Sequence, residues 1–96
     1  MSSSIEITLG SIADVLLIDA QVPEFELNIS KQQDIEYRLS GAKYLILIAR
    51  VDGEYAGYKL GYELSPQTFY SWLGAVVPQF RRRGVAKALL LSLIHI

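Results

Sequence analysis

Ninety-six residues bound the chain at one small domain, and 51% hydrophobic with 20% charged residues excludes a disordered tail or a collagen-like fibre. With no cysteine and one histidine, a disulfide scaffold, a thiolate metal site and a histidine-rich site are excluded too. The net charge of −1 hides a split: residues 1–64 hold all ten acids and five bases, whereas residues 65–96 hold four bases and no acid. Those four, Arg81, Arg82, Arg83 and Lys87, fall in one short stretch. A concentrated cationic spot on a mildly acidic body points to one local anion and not to a long polyanion.

The start, Met1 to Ser4, has neither the basic nor the apolar region of a secretory signal. The most apolar run, Ala88 to Ile96, falls far short of the ~20 residues a membrane helix needs. The expectation is a soluble, cytoplasmic protein of a reducing compartment.

No repeat, low-complexity tract or linker interrupts the chain, so it reads as one domain. Ile5 to Leu9 alternates apolar and polar residues and predicts a half-buried strand ended by Gly10. Ser11, three residues before Asp14, is a capping-box variant that opens a helix to about Gln21, and Pro23 blocks its continuation. A second helix is expected from Ser30, with Gln33 as box partner, Ile35 and Leu39 facing inward, Asp34 and Arg38 pairing outside, and Gly41 as the stop. Tyr44 to Val51 and Glu54 to Glu63 flank Asp52-Gly53, a strong hairpin signal. The first of these runs is apolar on both faces and belongs inside the sheet. Ser65-Pro66 turns the chain into a strand from Phe69 to Val77 that contains Gly74, a residue that marks a bulge or a close approach by another backbone or a ligand. Pro78 stops that strand, and Gly84 to about Leu93 is a helix. The order strand, helix, helix, strand, strand, strand, helix predicts an α+β, or mixed α/β, layer with a mostly antiparallel sheet.

The stretch from Val76 to Leu90 carries the chemistry: a strand ends, a basic turn follows, and a helix opens at Gly84. Such a helix start points unpaired backbone N–H groups outward, where a phosphate can bind. Gly84 and Ala86 keep the first turn free of bulk. An ordinary solvated arginine run is the bland alternative, but cations at a helix N-terminus oppose the macrodipole by about 0.3–1 kcal/mol each when exposed. The arrangement makes sense if an anion is shared by arginines and amides. A nucleic-acid patch is a weaker rival, since there is no second basic stripe.

Arg81-Arg82-Arg83-Gly84-Val85-Ala86 resembles the acetyl-CoA signature of the GNAT acetyltransferase superfamily, Gln/Arg-x-x-Gly-x-Gly/Ala. Pro78, Phe80 and Lys87-Ala88-Leu89-Leu90 agree with the flanks of that signature, and the upstream order of elements is similar to the family's N-terminal half. The resemblance implies an incomplete GNAT-like fold and an N-acetyltransferase fragment that moves an acetyl group from acetyl-CoA to a primary amine by direct attack in a ternary complex, without a metal. It implies that amides from Arg82, Arg83, Gly84, Val85, Ala86 and Lys87 cradle the CoA pyrophosphate beside Arg81. Main-chain groups of Gly74, Ala75 and Val76 pair with the pantetheine arm, and the amide near Val76 faces the thioester oxygen. A bulge at Gly74 is consistent with the opening of that slot.

No Ser/His/Asp set or reactive cysteine offers a ping-pong route. Glu63 is a candidate base, Tyr62, Tyr70 and Trp72 are candidates to line the acceptor pocket, and Glu24 is placed near an acceptor amine by position alone; for each, a solvated or packing role is the plainer reading. His95 receives no role. The acceptor is a small-molecule or protein amine, with no nucleic acid and no membrane expected. The alternative is a non-catalytic CoA-, anion- or nucleic-acid-binding module.

The resemblance stops after the signature helix, so residues 1–90 are expected to be the N-terminal part of one GNAT-like domain. Residues 91–96 look like a translated sequencing adapter, because CTG TCT CTT ATA CAC ATC encodes Leu-Ser-Leu-Ile-His-Ile. On that reading the strand ending at Val77 has an open edge that invites pairing or aggregation. The chain alone is then expected to bind CoA poorly and to turn over little.

Overall fold

The computed structural model describes residues 4–22 and 29–94. Its elements run β1 (Ile5–Leu9), α1 (Ile12–Asp19), α2 (Ile29–Leu39), β2 (Tyr44–Val51), β3 (Glu54–Ser65), β4 (Thr68–Val76), a 3-10 turn (Pro78–Phe80) and α3 (Val85–Ile94). The four strands form one antiparallel sheet in the order β1-β2-β3-β4, so the α+β class and the element order are as expected.

Local chemistry explains the first elements. Ser11 caps α1 through a complete capping box: the Asp14 N–H donates to Ser11 Oγ at 3.3 Å, and the Ser11 N–H donates to Asp14 Oδ2 at 2.9 Å. Asp52 and Gly53 hold φ of 52° and 82°, the left-handed pair that a two-residue primed turn requires between twisted strands. Central β2 is buried on both faces from Ile46 to Ala49, as its apolar run implies.

Alternation along β3 divides the helices between the two faces. Tyr58, Leu60 and Tyr62 share one face. There the Tyr58 hydroxyl donates to Asp19 Oδ1 of α1 at 2.9 Å, and Arg38 of α2 donates to the Tyr62 hydroxyl at 3.2 Å. On the opposite face α3 sits so close that a Cβ added at Gly57 would lie 3.3 Å from Val85 Cγ1 and 2.6 Å from the Ala75 carbonyl oxygen. Val15, Ile18, Ile35 and Leu39 from the helices and Ile46, Ile48 and Leu60 from the sheet are buried, as are Val85 and Leu89 of α3. Each such side chain stabilises the fold by roughly 1.5–3 kcal/mol.

Several expectations are corrected. Helix α2 already includes Ile29, so Ser30 lies inside it and not at its cap. Asp34 attracts Arg38 across one helical turn but does not reach ion-pair distance from it among the described residues. The guanidinium instead donates to Tyr62 and lies 4.8 Å from the Trp72 ring centroid, a contact that outweighs an exposed i,i+4 pair worth about 0.2–0.5 kcal/mol. Gly74 is not a bulge. It pairs in register with Lys59, whereas the step from Leu60↔Leu73 to Gly61↔Ser71 leaves Trp72 as the extra residue of β4. Strand β4 ends at Val76, one residue early, and α3 begins at Val85 and not at Gly84. Glu24 and His95 lie outside the described residues.

Candidate cofactor slot

The main-chain direction at the end of β4 follows from one hydrogen bond. The Val77 N–H donates to the Ala56 carbonyl of β3 at 2.8 Å. Main-chain groups alternate sides along a strand, so Ala75 also faces β3, while the N–H and C=O of Gly74 and Val76 face away from it. Two contacts agree: the Ala75 oxygen lies beside Gly57, and the Val76 oxygen accepts from Arg81 Nε at 3.2 Å. Among the described residues β4 is an edge of the sheet, so Gly74 presents both its strand groups there and Val76 its N–H, the Val76 carbonyl being taken by Arg81. Ala75 does not.

Beyond β4, the chain turns through Pro78–Phe80 and reverses in the left-handed region at Arg82, φ 64°, and Gly84, φ 82°. Phe80 is buried, and the Arg83 guanidinium lies 5.8 Å from its ring centroid. The first intrahelical bond of α3 runs from the Ala88 N–H to the Gly84 carbonyl at 2.9 Å. The N–H groups of Val85, Ala86 and Lys87 therefore precede any intrahelical acceptor. No acidic residue stands in that first turn to fill their place. Arg82, Arg83 and Lys87 are exposed around it.

Between the β4 end and the α3 start lies a slot of ≈ 290 Å³ lined by Tyr58, Lys59, Gly74, Ala75, Val76, Ala86 and Leu89. The fold thus brings Gly74 and Val76 together with the first turn of α3, which begins nine residues beyond Val76 in the sequence. It does not bring Glu63 to them. Glu63 stands opposite Phe69, and Lys59, the partner of Gly74, lies four residues away, about 13 Å along the strand. The Glu63 main chain is held by its N–H to the Lys43 carbonyl at 2.8 Å.

Three contributors were missed in the sequence. Lys59 lies against Gly74, its Cδ and Nζ 3.2 and 3.5 Å from where a Gly74 Cβ would stand, adding a fifth cation to the region. Tyr58 contributes its main chain to one wall, the carbonyl oxygen lying 3.4 Å from where a Gly74 Cβ would stand, while its phenol points to the other face of the sheet, where burial and the Asp19 carboxylate raise its titration far above the ordinary value. Gly57 lets α3 approach the sheet. Only its place in a two-glycine strand signalled that approach, and the partner could not be named from the sequence.

The sequence matches the profile of the Acetyltransferase (GNAT) family over residues 12–96, and the chain belongs to that family. No curated protein matches it. Solved structures with the same fold include the ribosomal-protein-S18-alanine N-acetyltransferase from Escherichia coli, with a TM-score of 0.75 and 19% identity over 96% of this chain and 58% of that one. The ribosomal-protein-alanine N-acetyltransferase from Brucella melitensis gives 0.65 and 27% over 96% and 70%. AAC(6′)-Iy, in complex with a bisubstrate analogue, gives 0.71 and 18% over 97% and 71%. The chain therefore spans a little over half the length of the first of these. No metal-binding cluster and no helix long and apolar enough to cross a membrane occur among the described residues.

Proposed function

We propose that these residues are the cofactor-binding part of an acetyl-CoA-dependent N-acetyltransferase. The observation that carries the reading is the alignment of two outward strand amides, Gly74 and Val76, with the unpaired amides of Val85, Ala86 and Lys87 across one slot. A pantetheine arm carries amide groups that can pair with a strand edge, and its pyrophosphate needs N–H donors and cations. Arg82, Arg83, Gly84 and Lys87 supply the second requirement. Arg81 would contribute after leaving the Val76 carbonyl.

In the reaction, an amine nitrogen attacks the thioester carbonyl carbon. The C–N bond forms, the carbonyl oxygen gains negative charge, and the C–S bond then breaks to release a thiolate that takes up a proton. An outward amide, that of Val76 or Gly74, would stabilise the oxyanion, and such a donor is worth about 3–4 kcal/mol of barrier. The excess proton on nitrogen passes to water, because Glu63 is too distant to accept it directly.

Thermal unfolding of the purified 96-residue chain with acetyl-CoA, desulfo-CoA and a DNA oligomer tests this, each at millimolar concentration to offset the weak CoA binding expected of a chain whose β4 edge is open. A ligand at ten times its Kd adds about 1.4 kcal/mol to stability, several degrees for a domain of this size. Both CoA species should raise the melting temperature and DNA should not. A shift with DNA alone reverses the assignment in favour of a nucleic-acid module.

A further inference from the structure

The face of β4 opposite α3 carries a second constellation that the cofactor slot does not use. Trp72, the bulged residue, lies half-buried there, with Tyr62 edge-on at 5.8 Å between ring centroids. Tyr70 meets Tyr62 edge-on at 5.5 Å. Arg38, in the last turn of α2, is exposed yet fixed from two directions: it stacks 4.8 Å from the Trp72 centroid and donates one N–H to the Tyr62 hydroxyl at 3.2 Å. A guanidinium has five N–H donors in a planar fork, so most of the fork stays available. No carboxylate lies within ion-pair distance of it among the described residues, and Asp34, one turn earlier, attracts it only from beyond contact.

We propose that Arg38 on this aromatic shelf is the specificity residue of the acceptor side, and that the acceptor is an amine that also bears a carboxylate, an amino acid or short peptide. The inference rests on the acetyltransferase reading for the word acceptor, but the binding site stands on its own geometry. Trp72 precedes Gly74 by two residues, about 7 Å along the strand. A carboxylate held by Arg38 thus places an amine a few bonds away near the outward Gly74 amide. The cofactor enters from the α3 face and the acceptor from the α1–α2 face, and they meet at the strand edge. Stacking pre-orders the arginine, so little rotamer entropy is lost when the carboxylate binds. A polycationic acceptor lacking a carboxylate meets a fixed positive charge there instead.

Trp72 is the sole tryptophan of the chain, so its fluorescence reports this shelf directly. The experiment titrates the 96-residue protein with triglycine, triglycine amide and spermidine while Trp72 emission is followed. Triglycine should give a saturable change, with triglycine amide and spermidine weaker by roughly tenfold or more, the scale of one charge-assisted guanidinium–carboxylate contact. Arg38→Gln should abolish the preference for triglycine over its amide, and Arg38→Lys should restore part of it, with far-UV circular dichroism showing both variants folded. Equal response to triglycine and its amide, tighter binding of spermidine, an unaltered preference in Arg38→Gln, or no response to triglycine overturns the proposal. A CoA-induced melting shift without triglycine binding sinks the shelf and leaves the acetyltransferase reading intact. Triglycine binding without any CoA shift does the reverse.

Discussion

Two residues of the basic turn, Arg82 and Gly84, hold left-handed φ, and they differ in what that costs. Glycine adopts it freely, whereas a residue with a Cβ is destabilised by roughly 1–2 kcal/mol. The turn persists because buried Phe80 and Val85 anchor its two sides. Arg82→Gly should therefore raise the melting temperature of the free protein slightly while shrinking the shift that acetyl-CoA produces; an unchanged shift would remove Arg82 from the anion site. At Gly84 an added Cβ meets nothing within 4 Å, so steric clash is not the issue and strain is. Gly84→Ala and Gly84→Glu should lose similar stability, about 1–2 kcal/mol, but only the glutamate places a negative charge beside the first-turn amides. The acetyl-CoA shift should survive in the alanine variant and vanish in the glutamate variant. Retention in both would move the anion elsewhere.

Among the elements, α1 ties its start to the sheet through its capping box. The Tyr55 hydroxyl of β3 and the Ser11 main-chain N–H both donate to Asp14, and the Tyr55 bond chiefly holds its carboxyl below the ordinary 3.8. A depressed folded value contributes stability that is present above the unfolded value and lost as pH falls through the folded one. Tyr55→Phe should flatten the rise of melting temperature with pH in the acid range below 3.8, while Ser11→Ala should reduce stability by about 1 kcal/mol at neutral pH. A Tyr55→Phe protein with the same acid profile as the parent would show that the phenol does not set the Asp14 titration. This box was legible in the sequence, as were β1 and the Asp52-Gly53 hairpin, because each is written in neighbouring residues. The basic turn was legible for the same reason, and with it the placement of Gly84 and Ala86 at a helix start. What escaped was cross-strand. The bulge falls at Trp72 because register is set by the pairing of β3 with β4, and a glycine is not needed where a large ring docks on Tyr62 and Arg38. Whether Ala75 or its neighbours face outward depends on the one bond from Val77 to Ala56, which no local pattern encodes. Lys59 in the slot and Glu63 outside it are consequences of the same register.

At the scale of the whole molecule, α1, α2 and the sheet converge on one carboxylate. Asp19, 3% exposed, accepts from the Tyr58 hydroxyl through Oδ1 and is ion-paired through Oδ2 with Lys31 in the first turn of α2. It sits at the C-terminal end of α1, where the helix dipole disfavours a negative charge, so its stability depends on both partners. Tyr58→Phe keeps the ring volume but leaves Oδ1 buried without a donor, a loss of about 1–3 kcal/mol. For a domain this small each kcal/mol moves the melting temperature by roughly 4–8 °C. Asp19→Asn keeps an acceptor for Tyr58 but removes the attraction to Lys31, and the two substitutions together should cost less than their sum, since both act on one network. Tyr58 also forms a wall of the slot, yet the donors assigned to CoA are main-chain amides of β4 and α3, neither of which bonds to the phenol. The melting temperature of Tyr58→Phe should therefore fall while the additional shift with acetyl-CoA is preserved. If the shift disappears along with the lost stability, the slot is held in shape by the Asp19 network and not by the strand edge and helix start alone.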